Sequence, residues 1–292
     1  HSRCRHGYNS QVVMTELKKF AVIGSPIDHS LSPKIHSIFA KELGIEITYE
    51  AINVEPMHFD SSVTRLFEEG YAGLNVTLPL KELAFKLADE LSDESNLSGS
   101  VNTLWKEDGI IHGDSTDGKG LIRDLQEKKI NLKNKEIVIL GAGGSAKAII
   151  PSLLKEDPQR ISIGNRTVSK AEELLESFSS FRNKMNLFQM TDNLNFKPEI
   201  LINSTSAGIQ NQSLELPSDI LTKDMCIYDL SYSFEDTPFL KLAKSKGIEN
   251  YHDGIGMLVH QAALSFKIWT GQTPISSINT VSYTHLTLPT NG

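Results

Sequence analysis

The chain has few cysteines and no long apolar run. Its 292 residues include two cysteines, Cys4 and Cys226, which lie far apart and show no metal-ligand spacing. This usage indicates a reducing compartment, so we expect a cytoplasmic protein with no metal centre. No stretch approaches the roughly 20 apolar residues of a membrane span. Residues 1–16 also lack the apolar core of a signal peptide, so we expect no membrane association.

An excess of positive charge is also absent. Lys and Arg total 29 against 36 Asp and Glu, which gives a formal net charge of −7. This balance argues against a nucleic-acid surface and against binding to anionic membranes. The hydrophobic content of 39% and charged content of 22% are ordinary for a globular protein, and the length suffices for two domains.

Residues 136–150 predict a buried strand, a glycine turn and a helix start in direct succession. The run Ile137-Val138-Ile139-Leu140 is typical of a parallel strand buried on both faces. Gly141, Gly143 and Ala146 follow with the spacing of a dinucleotide-binding turn, where the helix N-terminus holds a pyrophosphate. A glycine match of this kind also fits a plain strand-to-helix turn, and the flanking elements favour the dinucleotide site.

The flanking sequence predicts an α/β protein with mostly parallel sheets. Before the glycine loop, strands at 20–24, 47–54 and 71–76 alternate with helices at 32–43, 57–69 and 79–91, the first capped by Ser32. Asp108-Gly109 predicts a hairpin, followed by a polar loop at 114–120. After the loop the alternation predicts a doubly wound Rossmann-type domain and then a final helix at 256–270. We expect residues 1–16 and 283–292 to be disordered or foreign to the native chain.

Polar side chains cluster in the loops at the strand ends, where open α/β sheets bind ligands. The hydroxyl groups of Ser30, Ser32 and Thr77, together with nearby amides, an amine and a carboxylate, suit a polyhydroxylated anionic small molecule. Each residue also has a structural alternative, since Ser32 could only cap a helix and Gln261 could only face solvent.

The motifs occur in an order that resembles shikimate dehydrogenase. They are Gly24-Ser25-Pro26-Ile27-Asp28-His29-Ser30-Leu31-Ser32-Pro33, Asn75-Val76-Thr77-Leu78-Pro79-Leu80-Lys81, Gly99-Ser100-Val101-Asn102-Thr103, Gly141-Ala142-Gly143-Gly144, Asn165-Arg166-Thr167 and Asp253-Gly254-Ile255-Gly256-Met257-Leu258-Val259-His260-Gln261. The resemblance covers about residues 18–280. It implies a substrate-binding domain at 17–116 completed by 256–280, a Rossmann NADP-binding domain at 117–255, and a C-terminal helix that returns to the first domain.

The resemblance also implies an NADP-dependent oxidoreductase that reversibly reduces 3-dehydroshikimate to shikimate, on the route to chorismate and aromatic amino acids. Lys81 and Asp117 match the catalytic pair. The residues matching substrate-binding positions are Ser30, Ser32, Thr77, Asn102, Asp117, Tyr232 and Gln261. Those matching cofactor positions are Gly141, Ala142, Gly143, Gly144, Ser145, Ala146, Asn165, Arg166, Thr167, Thr205 and Gly254. We expect a monomer or homodimer.

Two departures and two alternatives accompany this interpretation. The family usually has Ala where this chain has Ser100 and Asn where it has Ser115, although neither change removes a catalytic group. The same motifs also occur in quinate/shikimate dehydrogenases that use NAD. A non-catalytic ligand-binding paralogue is the other alternative, and the presence of Lys81 and Asp117 counts against it.

Overall fold

The computed structural model describes residues 17–191, 194–205, 216–217, 219–233 and 235–274. Within them the backbone forms two six-stranded sheets with helices packed against them, which confirms the predicted α/β class. The segments 1–16 and 283–292, expected to be disordered or foreign, lie outside the described residues. The sheets use strands from 18–114 and 136–252, and the exact domain limits stay a prediction.

The first sheet is mixed, with strand order β2-β1-β3-β5-β6-β4. Strand β1 pairs in parallel with β2 and β3, and β4 pairs in parallel with β6, whereas β5 runs antiparallel to β3 and β6. The hairpin between β5 and β6 is the predicted one, because φ is positive at both Asp108 (49°) and Gly109 (84°). The strands are β1 (Lys18–Gly24), β2 (Ile47–Asn53), β3 (Tyr71–Val76), β4 (Glu90–Leu91), β5 (Thr103–Glu107) and β6 (Ile110–Asp114).

The helices around the first sheet correct three predictions. Ser32 is the first residue of its helix and makes no side-chain cap, because Leu31 takes the cap position. The Leu78–Pro79 peptide is cis, and Pro79 lies in the turn before a helix that begins at Lys81. That helix ends at Leu87 because Ala88 is extended and leads into β4. The helices are α1 (Ser32–Leu43), α2 (Phe59–Glu68), α3 (Lys81–Leu87) and α4 (Asp93–Ser98), with a 3-10 turn at Pro56–His58.

The second sheet is fully parallel, with strand order β12-β11-β10-β7-β8-β9. The order reverses between β7 and β10, and such a reversal opens a ligand crevice at the carboxyl ends of the two strands. The strands are β7 (Glu136–Leu140), β8 (Arg160–Gly164), β9 (Met185–Phe188), β10 (Ile200–Asn203), β11 (Cys226–Asp229) and β12 (Tyr251–His252).

Four helices accompany this sheet, and one begins earlier than predicted. The expected polar loop at 114–120 is wrong in its second half, since α5 starts at Asp117. The helices are α5 (Asp117–Glu127), α6 (Gly144–Lys155), α7 (Val168–Ser177) and α8 (Pro238–Ser245), with a 3-10 segment at Ser179–Lys184.

The last helix, α9 (Ile255–Thr270), returns to the first sheet as the sequence predicts. Its apolar side chains share a buried cluster with Ile35 and Phe39 of α1. Trp269 stacks on Phe20 of β1 with ring centroids 4.8 Å apart, and its indole N–H donates to the Leu104 carbonyl at 3.2 Å. Within the described ranges, none of the helices has both the length and the hydrophobicity that crossing a membrane demands.

Candidate active site

A cleft of about 540 Å³ collects the polar side chains that the sequence singled out. Its walls come from the loops after β1 and β3, the starts of α3 and α5, the loop after β11, and α9. The structure brings together here all of the predicted catalytic and substrate-binding residues, namely Ser30, Ser32, Thr77, Lys81, Asn102, Asp117, Tyr232 and Gln261.

Lys81 and Asp117 form an ion pair in this cleft. The Lys81 ammonium donates to Asp117 Oδ2 at 2.7 Å, and the two side chains are 11% and 8% exposed. Each residue is the first of its helix, α3 and α5 respectively, so two helix starts bring the pair together. Asp117 is favourably placed there, because a helix N-terminus stabilises a carboxylate. The pair is therefore a nearly dry ammonium–carboxylate contact that opens to the cleft.

Asn102 fixes the orientation of Asp117. Its amide nitrogen donates to Asp117 Oδ1 at 3.1 Å, to Thr116 Oγ1 at 2.8 Å and to Gln261 Oε1 at 3.1 Å. Its carbonyl oxygen accepts from the Thr116 backbone N–H at 2.9 Å and from the Thr103 hydroxyl at 2.9 Å. These contacts leave the amide a single orientation. If the amide were reversed, its oxygen would face the acceptor oxygens of Asp117 and Gln261, and its NH₂ would face the Thr116 N–H.

Gln261 belongs to this network, although it comes from the far end of the chain. It is 8% exposed, so the solvent-facing alternative is wrong. Its amide nitrogen donates to the Leu258 carbonyl at 2.9 Å within α9. The returning helix thus supplies one wall of the cleft.

The remaining predicted substrate residues also line the cleft. The Ser32 backbone N–H donates to Ser30 Oγ at 3.3 Å, so the two serines are joined at the start of α1. Tyr232 follows β11, and burial raises the pKa of its phenol, an effect that the nearby Leu31 backbone partly offsets. Its hydroxyl therefore remains protonated at neutral pH and can serve as a donor.

Some polar residues of the site were not assigned a role from the sequence. Asn75 lines the cleft and is 4% exposed, and the Asn75-Val76-Thr77 motif was the signal that pointed to it. Thr116 and Ser265 are buried partners of Asn102 and Asn75. Tyr49 donates to Asn75 from an alternating strand whose pattern gives no sign of this contact.

The glycine turn between β7 and α6 has room for a phosphate group. Gly141 has φ of 103°, which favours glycine, and a Cβ there would lie 2.7 Å from Ser204 Oγ. A Cβ on Gly143 or Gly144 would meet no atom within 4 Å, so the backbone faces open space at the start of α6. Ala146 is fully buried against the core, as the third position of the motif requires. This geometry fits a pyrophosphate on the helix N-terminus.

The other predicted cofactor residues lie at carboxyl ends of the same sheet. Asn165 donates to the Thr167 carbonyl at 2.8 Å and shapes the turn after β8 that exposes Arg166. Thr205 follows β10, and its hydroxyl donates to Asn203 Oδ1 at 2.8 Å. Gly254 precedes α9, where a Cβ would overlap the Leu230 carbonyl oxygen, so a larger residue is excluded. Gly254 and Ser145 both line the cleft.

A buried carboxylate anchors the start of α9. Asp124 of α5 accepts from Tyr228 at 2.7 Å and from the Lys128 ammonium at 2.5 Å. Gly256 of α9 packs directly on it, since a Cβ there would overlap Asp124 Oδ1. Asp124 also lies near Glu127 and His260 in an arrangement that could hold a metal ion. Lys128 already supplies the cation, so we assign this group a structural role.

Comparisons with known proteins agree with the motifs. Family models match at residues 22–104 (shikimate dehydrogenase substrate binding domain), 124–231 (shikimate / quinate 5-dehydrogenase) and 254–274 (shikimate 5'-dehydrogenase C-terminal domain). The shikimate dehydrogenase (NADP(+)) of Colwellia psychrerythraea is 41% identical over 256 residues, which cover 88% of this chain and 92% of that protein.

Solved structures show the same architecture. The Ael1 enzyme from Pseudomonas putida superposes with a TM-score of 0.83 at 35% identity, covering 93% of this chain and 99% of that one. The shikimate 5-dehydrogenase of Thermus thermophilus, solved with NADP(H) and shikimate, gives a TM-score of 0.79 at 32% identity. The match covers 88% of this chain and 95% of that one.

Proposed function

The chain belongs to the shikimate dehydrogenase family, and we propose that it catalyses the reversible NADP-dependent reduction of 3-dehydroshikimate to shikimate. The observation that carries this proposal is the Lys81–Asp117 ion pair, 2.7 Å long, in a cleft that extends to Ser145 at the start of α6. A proton donor and a phosphate-binding turn thus open on one cavity.

The cleft has the chemistry of the substrate. Shikimate carries one carboxylate and several ring hydroxyl groups, which need many hydrogen-bonding partners. We assign the hydroxyl groups of Ser30, Ser32, Thr77 and Tyr232 to one part of the substrate. Asn102, Asp117 and Gln261 hold another part beside Lys81. Because Asn102 contacts both Asp117 and Gln261, these three side chains act as one preformed unit.

Lys81 supplies the proton for carbonyl reduction. When the carbonyl oxygen develops negative charge, the adjacent ammonium stabilises that charge and then donates a proton to the oxygen. Asp117 holds the ammonium in place, and Asn102 holds the carboxylate. In the reverse direction Lys81 accepts the proton from the substrate hydroxyl. Acid–base assistance of this kind contributes about 10²–10⁴ in rate.

The chain's own residues fit NADP. The cofactor, when bound, supplies the hydride for the carbonyl carbon. The open backbone at Gly143 and Gly144 suits its pyrophosphate. No Asp or Glu occurs from 158 to 170, where an NAD-preferring domain has an acid for the ribose 2′-hydroxyl. Arg166 instead offers an exposed guanidinium to a 2′-phosphate, with Asn165 and Thr167 beside it.

Initial rates of cofactor reduction test this function. Wild-type protein is mixed with NADP⁺ or NAD⁺ and with shikimate, quinate or no substrate. We expect the highest kcat/KM with shikimate and NADP⁺. A higher value with quinate and NAD⁺ favours the broader dehydrogenase. No rate above the blank with either substrate favours a non-catalytic binding protein.

A further inference from the structure

We propose that Tyr49 is a positioning residue for substrate binding, acting through Asn75. This inference rests on the proposed function and extends it to a side chain on β2, an edge strand of the first sheet. Tyr49 lies behind the wall of the cleft, and its phenol hydrogen-bonds Asn75, which lines the cleft.

The ring of Tyr49 is held in place by aromatic neighbours. It stacks on His36 of α1 with centroids 4.3 Å apart and planes 13° apart. Trp269 of α9 approaches the same ring at 6.5 Å. The position of the hydroxyl is therefore set by packing from two helices, and removal of the oxygen alone would leave this packing intact.

The hydroxyl makes a contact toward the cleft. It donates to Asn75 Oδ1 at 2.7 Å. Burial raises the pKa of Tyr49 well above its ordinary value, so the phenol stays protonated and keeps its donor role. One O–H group thus connects β2 with the end of β3.

Asn75 depends on this donor for its orientation. Its amide nitrogen donates to the Asn102 carbonyl at 3.1 Å and to Ser265 Oγ at 3.0 Å. Its oxygen accepts the Tyr49 hydroxyl, and the side chain has almost no contact with solvent. Without that hydroxyl the amide oxygen is buried with one partner fewer, so the amide can rotate and its cleft-facing edge is no longer fixed.

The effect should be confined to substrate binding. Asn75 reaches Asn102 directly only at its backbone carbonyl, and it reaches the Asn102 side chain through Thr103 at the longer distance of 3.4 Å. The Asn102 side chain holds Asp117, which in turn holds Lys81, and it has its own bonds to Thr116 and Gln261. The cofactor turn after β7 lies on the other sheet. A merely structural tyrosine would instead affect every step together.

The test compares Tyr49→Phe with Tyr71→Phe. Tyr71 lies on β3 in the same sheet, and its hydroxyl donates to Glu50 outside the cleft. This variant therefore removes the same hydroxyl group at a position that does not contact the cleft. Shikimate affinity is measured by calorimetry, and kcat and both KM values are measured by initial rates. An unchanged NADP⁺ affinity shows that the variant is correctly folded. We expect Tyr49→Phe to weaken shikimate binding about five- to tenfold, because one hydrogen bond is lost. Its kcat and NADP⁺ affinity should stay within about twofold of wild type, and Tyr71→Phe should match wild type.

A double-mutant cycle gives a second readout. In an Asn75→Ala background, Tyr49→Phe should weaken shikimate binding by a clearly smaller factor than in wild type, because the partner of the Tyr49 hydroxyl is already gone. The inference would be overturned if Tyr49→Phe left shikimate affinity unchanged, or if it weakened shikimate and NADP⁺ binding equally. It would also be overturned if Tyr49→Phe weakened shikimate binding by the same factor in both backgrounds. Wild-type protein that fails to oxidise shikimate would instead refute the proposed function, and its calorimetric shikimate affinity would still decide the role of Tyr49.

Discussion

Acid should destabilise this fold through His36. The imidazole is fully buried among Phe39, Tyr49, Phe266 and Trp269, and neither ring nitrogen has a hydrogen-bond partner in the described part of the chain. Burial lowers the pKa of His36 from 6.5 to about 3, and the nearby Asn75 side chain offsets part of this effect. The charged form is therefore excluded from the folded state over most of the acid range.

The sign and size follow from proton linkage. Below pH 6.5 the unfolded chain binds a proton at this position, whereas the folded chain binds it near pH 3. The contribution of neutral His36 to stability is therefore present above pH 6.5 and is lost as the pH falls toward 3. At about 1.4 kcal/mol per pH unit, the loss between pH 7 and pH 4.5 is about 2.5 kcal/mol.

Urea unfolding of wild type and His36→Leu at both pH values measures this loss. The free energy of unfolding of wild type should fall by about 2.5 kcal/mol more than that of His36→Leu over the same interval. His58→Leu, which removes an exposed imidazole, is the control for loss of one histidine. Parallel pH dependences for wild type and His36→Leu would refute the reasoning.

Three further predictions concern other residues. Arg166→Ala should weaken NADP⁺ binding by about 1.5–3 kcal/mol, or ten- to a hundredfold, and leave NAD⁺ affinity unchanged; equal losses in a titration of both nucleotides would contradict it. Gln261→Ala should raise KM for shikimate about fivefold, for roughly 1 kcal/mol, without changing NADP⁺ affinity; equal weakening of both would indicate a general folding defect. Ser100→Ala should raise the free energy of unfolding by about 1 kcal/mol, since the Ser100 hydroxyl is buried without a partner among the described residues; a less stable variant would contradict it.

Local sequence patterns predicted the elements that local chemistry determines. The buried run before Gly141, the Asp108-Gly109 hairpin and the end of α1 at Leu43 all lie where the sequence places them. Each depends on residues close together in the chain, through a glycine in left-handed backbone or an unbroken apolar strand.

Predictions failed where distant residues decide the structure. Ser32 was expected to cap α1, but it is the first residue of the helix, and its side chain lines the cleft. The helix expected from Pro79 is shortened because residues 90 and 91 pair with β6. Tyr49 itself could not be found from its alternating strand, since its role depends on Asn75, 26 positions away in sequence.

The convergence of the site residues followed from the family motifs rather than from periodicity. Gln261 and Asn102 are 159 positions apart, and no local pattern predicts their contact. Ser100 and Ser115, the two departures from the family, are both buried with no partner for their hydroxyl groups among the described residues. The catalytic and binding roles assigned to these side chains stay predictions until they are measured.

The kcat of Lys81→Met tests the central claim most directly. Lys86→Met on the same helix is the matched control, since Lys86 is exposed and lies outside the cleft. With saturating shikimate and NADP⁺, Lys81→Met should lower kcat by about 10² or more while KM changes less, because it removes the proposed proton donor. Lys86→Met should keep wild-type kcat. A Lys81→Met protein that binds both substrates and retains near wild-type kcat would contradict the assignment of Lys81 as the acid–base group.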